Sequence, residues 1–558
     1  MMSDTRTLQQ SRAPRSEGQW ALGELTPLNN SERIKAEGGL LDARDRIEQI
    51  YALGGYESIP PDDLRGRMRW AGVHVQRRPG IPGGKTATLA PEDLEDELLL
   101  MRVRIDGGAL SSEQARVLGA ISERFAKNTA DLSDRQCVQL HGVRVEDTPE
   151  IWRLMDSVGL TTAGSCADTP AVVLGSPLAG VAADEIIDGT PAIDEIVRRF
   201  VGTEEFSNLP RKVKSAISGA PGGDVVHEIN DVSFVGVMHP DHGPGFDLWV
   251  GGGLSKAPKL AQRLGAWVPL PEVPEVWQAI NALFRDYGYR RNRNRARMKF
   301  LISDWGVERF RDVLETEYLN RPLLDGPPPE RAKIQRDYIG VHPQRDGLFY
   351  VGAAPTVGRL SGTILQRVAD LSEKYGSGRI RLTIHQKLVI LDVPGERTDE
   401  LAAELLKLGL YVNPSPFRRS TMACTGVQYC KSAIAETKGR AAALIDELER
   451  RLPNLDVSIT ISVNGCPSSC ARFQIADIGL RGVLVAGDDG TQIEGFQVLL
   501  GGSLGHRSAF GRAPRGLRLA ADDLPDYVER LINRYLAQRD DSESFAEWTS
   551  RADEEALR

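Results

Sequence analysis

Cysteine is scarce in this chain, six residues in 558, and aromatic residues make up only 6% of it. There is no surplus of positive charge either: 69 Lys and Arg stand against 77 Asp and Glu, a net charge of −8. A general nucleic-acid binder normally carries a basic excess, so that class is disfavoured. Long apolar runs are also missing. The longest weakly charged stretch, Gly159 to Ala183, is broken by Asp168, Pro170 and Pro177 and fails as a membrane span. The opening MMSDTRTLQQSRAPRSEGQW has no apolar core of the signal-peptide kind. A soluble, cytoplasmic protein is expected.

What is present begins with ordinary globular bulk. The chain is 41% hydrophobic and 26% charged, and its length calls for two to four domains rather than one core. Its few cysteines are concentrated. Cys424, Cys430, Cys466 and Cys470 all lie between Met422 and Arg472, in MACTGVQYC and NGCPSSCAR. Free cysteines are often plain buried hydrophobes, and zinc takes pairs two to four residues apart. Here five residues separate the first pair and three the second, with Pro467 inside it. A disulfide is disfavoured in a reducing compartment. An iron–sulfur cluster tolerates irregular spacing and is the leading reading.

The chain also repeats itself, a feature to be sought before any fold is named. MRVRIDGGALSSEQARVLGAISERFAKN from Met101 matches YVGAAPTVGRLSGTILQRVADLSEKYGS from Tyr350 in strand, glycine turn and amphipathic helix. Similar strands follow, in DRQCVQLHGV from Asp134 and IHQKLVILDV from Ile384, then second helices near Glu150 to Val158 and Thr398 to Leu408. The likeness continues: KSAISGAPGGDVVHEINDVSFVGV from Lys214 parallels SITISVNGCPSSCARFQIADIGLRGV from Ser458, and GFDLWVGGGL parallels GFQVLLGGSL. About 220 residues are therefore duplicated. The copies differ where chemistry belongs. The first has Ala220 and Gly223 near the places of Cys466 and Cys470, and brings Arg211, Lys212 and Lys214 instead. Ahead of the repeat, residues 1 to about 29 form a polar arm, NNSERIKAEGG and LLDARDRIEQIYALGG read as capped helices, MRWAGVHVQRR as a strand, and Pro79 to Ala90 as a loop.

Basic residues recur at defined spacings. Lys212 and Lys214 in LPRKVKSAI are two apart on a predicted strand and share a face, as do Arg102 and Arg104 in MRVRID. A solvated face is the bland reading of either pair alone; two pairs at matching ends of a duplicated scaffold point to a small oxyanion. In YRRNRNRARMKFL, Arg293 and Arg297 fall one turn apart on a predicted helix, suited to clamping carboxylates of an anionic cofactor. Arg135 and Gln139 in DRQCVQLHG are placed to do the same from a strand end. The arginine run is otherwise a solvated helix or an RNA contact.

Together these motifs resemble the sulfite and nitrite reductase hemoprotein family, the siroheme and 4Fe-4S enzymes, from about residue 45 onward. The resemblance implies an α+β fold, internally duplicated, with ferredoxin-like half-units and two siroheme-binding α+β domains in pseudo-twofold symmetry. The corresponding division is an N-terminal arm with helices at 1–92, half-units at 93–165 and 345–418, and siroheme-binding domains at 166–344 and 419–558. By that resemblance Cys424, Cys430, Cys466 and Cys470 ligate the cluster, and Cys470 also bridges to the siroheme iron. Arg102, Lys212 and Lys214 surround the substrate anion and deliver protons, while Arg135, Gln139, Arg293, Arg295 and Arg297 neutralise siroheme carboxylates. Lys214 tilts the substrate toward sulfite over nitrite, because a doubly charged anion gains more from an extra cation.

The family usually has a further substrate-binding arginine near the end of CADTPAVVLG, where this chain has Ala171, a lost contact worth about 1.5–3 kcal/mol. Cys166 reads as a buried cysteine or a pocket thiol, and Cys137 as core. No GxGxxG loop follows a predicted strand and no flavin domain is evident. Electrons must then come from an external donor, which the resemblance identifies as ferredoxin, acting on a monomer. The alternatives are ferredoxin-nitrite reductase and, in another class, a non-enzymatic protein with a structural cluster.

Overall fold

The fold was obtained as a computed structural model describing residues 29–558 except 221–222, 331–335 and 488. The polar arm predicted over residues 1 to about 29 therefore lies almost wholly outside the described residues.

The first half-unit is a four-stranded sheet in the spatial order Val73–Arg77, Glu95–Val103, Val138–Val143, Asp131–Leu132. Alternate residues of these strands, Leu99, Met101, Val103, Val138 and Leu140, are fully buried in one apolar core. Helix Ser112–Phe125 contributes to that core and starts with a capping box, Ser111 accepting from the Gln114 N–H and Gln114 from that of Ser111. The second half-unit repeats the plan with strands Gly340–Pro343, Phe349–Ala353, Leu388–Val393 and Arg379–Leu382 and helix Gly362–Tyr375. The two are not separate bodies. Strand Ala109–Ser111 of the first copy leaves its own sheet and pairs antiparallel with Arg379–Leu382 of the second. The long helices also pack on each other with no room for a side chain between them: a Cβ on Gly119 would meet the Gly362 carbonyl oxygen at 2.5 Å, and one on Gly362 the Gly119 oxygen at 2.4 Å.

Each half-unit leads into an α+β domain with its own core. In the first, strands Leu174–Gly175, Ser215–Ser218 and Val232–His239 run parallel before an antiparallel return through Gly243–Val250. In the second, Thr421–Ala423, Ile461–Asn464 and Ile478–Ala486 run parallel before the return through Gln492–Leu500. Matching side chains tie each half-unit to its domain. Gln136 and Gln386, both left-handed with φ of 53° and 60°, use both ends of their amides: Gln136 on the Gly175 backbone at 3.0 and 3.1 Å, Gln386 on that of Ala423 at 2.9 and 3.2 Å. The fold is thus α+β, with duplicated ferredoxin-like half-units and two α+β domains in pseudo-twofold arrangement.

Three local expectations need correction. The arginine-rich run is not a helix face: Arg293–Arg295 is a single 3-10 turn capped by the Asn292 side chain, and Arg297 is the N-cap of the next helix, Met298–Val313. Carboxylates draw Arg293 and Arg297 in different directions, to Asp168 and Asp231. The strand expected to hold Lys212 and Lys214 begins only at Ser215; ahead of it Val213 makes an isolated bridge to Pro170. The second predicted N-terminal helix is α-helical only at Ala43–Arg46 and Ala52–Gly54, with a wider π turn at Ile47–Tyr51 between them.

Candidate active site

The cysteines sit on loops at the carboxyl ends of the parallel strands of the second domain. Cys424 follows Thr421–Ala423, and its N–H bonds the Val463 carbonyl at 3.0 Å. Its sulfur accepts from the Gly465 N–H at 3.2 Å and lies 3.9 Å from the Thr437 hydroxyl, which itself donates to the Cys424 carbonyl at 2.6 Å. The loop is tight, since a Cβ on Gly465 would stand 2.8 Å from the Ala435 carbonyl oxygen. Burial pushes the Cys430 thiol up to about 11, with Cys424 and Cys466 adding to the effect; Cys470 is exposed at the surface of the loop, with Cys424, Cys466 and Cys430 among its electrostatic neighbours. The four thiols therefore feel one another, and all are free. A set of four free cysteines on adjoining loops, with a backbone N–H aimed at the sulfur of Cys424, has the donor chemistry of an iron–sulfur cluster.

Opposite stands a basic centre built mainly from the first copy. Arg102 pairs in register with Gln139 on the neighbouring strand and donates to its side chain at 3.4 Å. Both lie on the face of the sheet turned away from the apolar core. Arg135, on the turn before the Gln139 strand, donates to Asn230 at 2.9 Å and to the Val172 carbonyl at 2.6 Å. Lys212 and Lys214 flank the fully buried Val213, so alternation keeps both out of the core. Burial, reinforced by Arg211, Lys214 and Arg102, lowers Lys212 to about 7. Burial and Arg135 lower Lys214 to about 8, against the opposing pull of Asp134 and Cys470. Arg102 is held above its usual value, first by Cys166, with Cys137 and Cys470 also contributing. Cys470 is thus an electrostatic neighbour of both Arg102 and Lys214, and the two copies meet there.

The remaining sequence-predicted residues divide clearly. Arg293 donates to the Asp168 carboxylate at 2.5 and 3.0 Å. Asp168 also lies 2.8 Å from Lys35 and 3.2 Å from Arg211. Although burial opposes ionisation, these cations hold its carboxyl far below the usual range. Arg297 is fixed on Asp231 at 2.7 Å, and the same carboxylate accepts the Lys214 backbone N–H at 2.7 Å. Arg295 is exposed, its guanidinium 5.8 Å from the Phe300 ring centre. Arg104, paired with Arg102 on the sequence, is spent on structure, bound to Asp106 at 2.8 Å and to the Gly164 and Pro170 carbonyls at 3.0 Å each.

Several site residues carry no sequence signal that would single them out. His74, on the strand beside Arg102, neighbours Cys166; burial opposes ionisation of that thiol, but Arg102, His74 and Lys212 pull it down to about 5. Arg69 feels Cys166, Asp168 and Arg293, so a cation adjoins the segment where Ala171 replaces the expected arginine. Buried polar atoms without a partner also gather on these elements: Nε of Arg102, Arg135 and Arg472, Nε2 of His74 and Nδ2 of Asn464. A buried donor left unpaired costs about 1–3 kcal/mol, and such a set beside two lysines fits an anionic group with several carboxylates. A cavity of about 630 Å³ lies elsewhere, in the second copy, lined by Arg336, His342, Arg419 and Ser458 among others; Ser458 is the counterpart of Lys212.

Comparison with known proteins supplies the frame for this geometry. The model of the nitrite and sulphite reductase 4Fe-4S domain matches residues 166–323 and 415–558, and that of the nitrite/sulfite reductase ferredoxin-like half domain matches 93–158 and 342–408. Each matches twice, in the two copies. A sulfite reductase [ferredoxin] of Mycobacterium tuberculosis (strain ATCC 25618 / H37Rv) is 56% identical over 548 residues, 98% of either chain. A ferredoxin–nitrite reductase of Synechococcus elongatus is 38% identical, covering 92% of this chain and 97% of its own. The solved structure of the Mycobacterium tuberculosis NirA protein superposes with a TM-score of 0.94 at 56% identity, over 98% of this chain and all of that one.

Proposed function

We propose that this chain, which belongs to the nitrite and sulphite reductase family, is a ferredoxin-dependent sulfite reductase carrying siroheme and a 4Fe-4S cluster. The net reaction takes sulfite, six electrons and six protons to sulfide and three waters. What supports the reading is that Arg102 and Lys214 both have Cys470 as an electrostatic neighbour, which would set a cluster ligand beside cations suited to an oxyanion.

In this assignment Cys424, Cys430, Cys466 and Cys470 would hold the cluster, and Cys470 would also serve siroheme. Arg135, Gln139, Arg293, Arg295 and Arg297 would neutralise siroheme carboxylates, Arg293 and Arg297 while also bound to Asp168 and Asp231. When bound, the two groups supply the electrons and the iron at which the anion is reduced. The chain's own part is charge and protons. Arg102 stays charged at all working pH and holds the anion, while Lys212 and Lys214, lowered to about 7 and about 8, have ammonium groups acidic enough to give up a proton near neutrality. Asp231 fixes the backbone of Lys214 and the guanidinium of Arg297 together, so anion and cofactor subsites share one carboxylate. Three cations suit doubly charged sulfite better than nitrite.

The same reading takes ferredoxin as donor, a monomer as the working unit, the cytoplasm as its place, and the division 1–92, 93–165, 166–344, 345–418 and 419–558. No helix among the described residues is long and apolar enough to cross a membrane. The test is parallel steady-state turnover of sulfite and nitrite with a reduced artificial donor. A higher kcat/KM for sulfite is expected; a clear preference for nitrite overturns the substrate assignment.

A further inference from the structure

One buried charge near the cysteines has no part in holding the anion. Lys438 is 3% exposed and is the first residue of the helix Lys438–Arg451. Both facts disfavour a lysine, because burial desolvates its charge and the amino end of a helix is already positive. Two acceptors hold it in place. Its ammonium donates to the Val357 carbonyl at 2.5 Å and lies 3.7 Å from Asp131, itself 1% exposed. Asp131 also lies 3.4 Å from Arg359 and 3.7 Å from His141. His141 in turn bonds Gln76 at 3.1 Å and stacks at 4.1 Å on Tyr429, the residue before Cys430. On the other side, Thr437, the residue before Lys438, is the one whose hydroxyl contacts Cys424. Negative charge on Cys424 favours the charged form of Lys438, although burial outweighs it.

The internal duplication supplies the control. Ile434 bonds the Gly465 carbonyl at 2.7 Å as Ile186 bonds that of Gly219 at 2.9 Å, which aligns Lys438 with Thr190. In the aligned strands Asp131 corresponds to Arg381 and His141 to Leu391. At the pseudo-symmetric junction, where the first domain carries no cysteine quartet, the charges are reversed: Arg381 of the second half-unit has Asp188 and Asp194 of that domain as neighbours, and no lysine stands at the helix start. A lysine opens the helix in the domain that carries the thiols, and a threonine takes its place in the other.

We propose that Lys438, anchored by Asp131 and the Val357 carbonyl, sets the reduction potential of the 4Fe-4S cluster by offsetting negative charge at its Cys424 side. The inference rests on the assignment of the four cysteines to that cluster. A fixed cation stabilises the more negative, reduced state, so its removal lowers the potential; removal of Asp131, which leaves the cation less neutralised, raises it.

The experiment is a redox titration of the purified holoenzyme, following the cluster's electron paramagnetic resonance signal, with iron and sulfide analysed on the same samples. Lys438→Met is expected to weaken one-electron reduction about tenfold, a fall of about 59 mV. Lys438→Arg is expected to stay near wild type, and Asp131→Asn to move upward. A Lys438→Met protein with full iron and sulfide and an unmoved midpoint overturns the proposal. If that variant assembles no cluster, an unmoved Asp131→Asn midpoint overturns it instead. Wild-type protein without cluster iron and sulfide would count against the cysteine assignment, a separate failure.

Discussion

The most demanding prediction concerns Asp168, which touches no substrate. Its carboxylate is buried to 1% and gathers Lys35 at 2.8 Å, Arg293 at 2.5 Å and Arg211 at 3.2 Å. At an effective dielectric of about 20, each such contact is worth roughly 5–7 kcal/mol before desolvation; the net loss on breaking a buried pair is nearer 3–5 kcal/mol. Asp168→Asn keeps the shape and removes the charge. Lys35, equally buried, then keeps as its only charged partner among the described residues Glu32 at 2.7 Å, which already serves Arg290 at 3.2 Å, beside the neutral Leu209 carbonyl at 2.7 Å. We expect a loss of about 3–5 kcal/mol in urea unfolding, together with a lower siroheme content because Arg293 is no longer aimed. The pH dependence has a definite sign. The folded carboxyl titrates well below its unfolded value, so the stabilisation is fully present above an unfolded pKa of about 3.9 and is lost as pH falls through the folded one. The wild type should therefore lose stability on acidification more steeply than Asp168→Asn. A variant within about 1 kcal/mol of wild type, with parallel acid dependence, would refute the claim that this carboxylate holds the cations in place.

Lys214→Asn should lower kcat/KM for sulfite by about 10- to 100-fold, the cost of a charge-assisted contact, and affect nitrite less; equal losses for both anions would remove Lys214 from substrate choice. With Lys212 lowered to about 7 and Lys214 to about 8, proton delivery depends on their acid forms, so kcat/KM should fall as pH rises above about 8. Lys212→Arg, which cannot deprotonate there, should flatten part of that limb while lowering the maximum rate. Cys470→Ser should abolish turnover with reduced ferredoxin even where circular dichroism reports an intact fold; full activity would overturn the shared-thiol assignment.

Much of this architecture was legible in the sequence because duplication writes each element twice. The glycine turns, paired helices and DRQ and HQK segments align by eye, and the structure places Gln136 and Gln386 in identical roles. The thiol quartet and LPRKVK were equally plain, since neither spacing serves packing well. What failed was local. An arginine run read as a helix became a 3-10 turn because Asn292 caps it and two distant carboxylates, Asp168 and Asp231, claim its side chains. Arg102 and Arg104 looked equivalent by alternation, yet an aspartate two residues on removes Arg104 from the site. Arg69, His74 and Lys438 were invisible for the same reason: single polar residues acquire meaning only from segments far away in the chain.

The exchanged strand Ala109–Ser111 has a consequence for how such a molecule specialises. By lending an edge to the other copy's sheet, it welds two repeats into one cooperative unit whose seam runs through the chemistry. Neither repeat has to be a complete machine. One can shed its thiols and the other its lysines, provided the weld keeps the lysines of the first facing the thiols of the second. Asymmetry of function is thereby bought with symmetry of scaffold, and what the two copies share is the frame, such as the Gln136 and Gln386 anchors, rather than the residues that meet substrate.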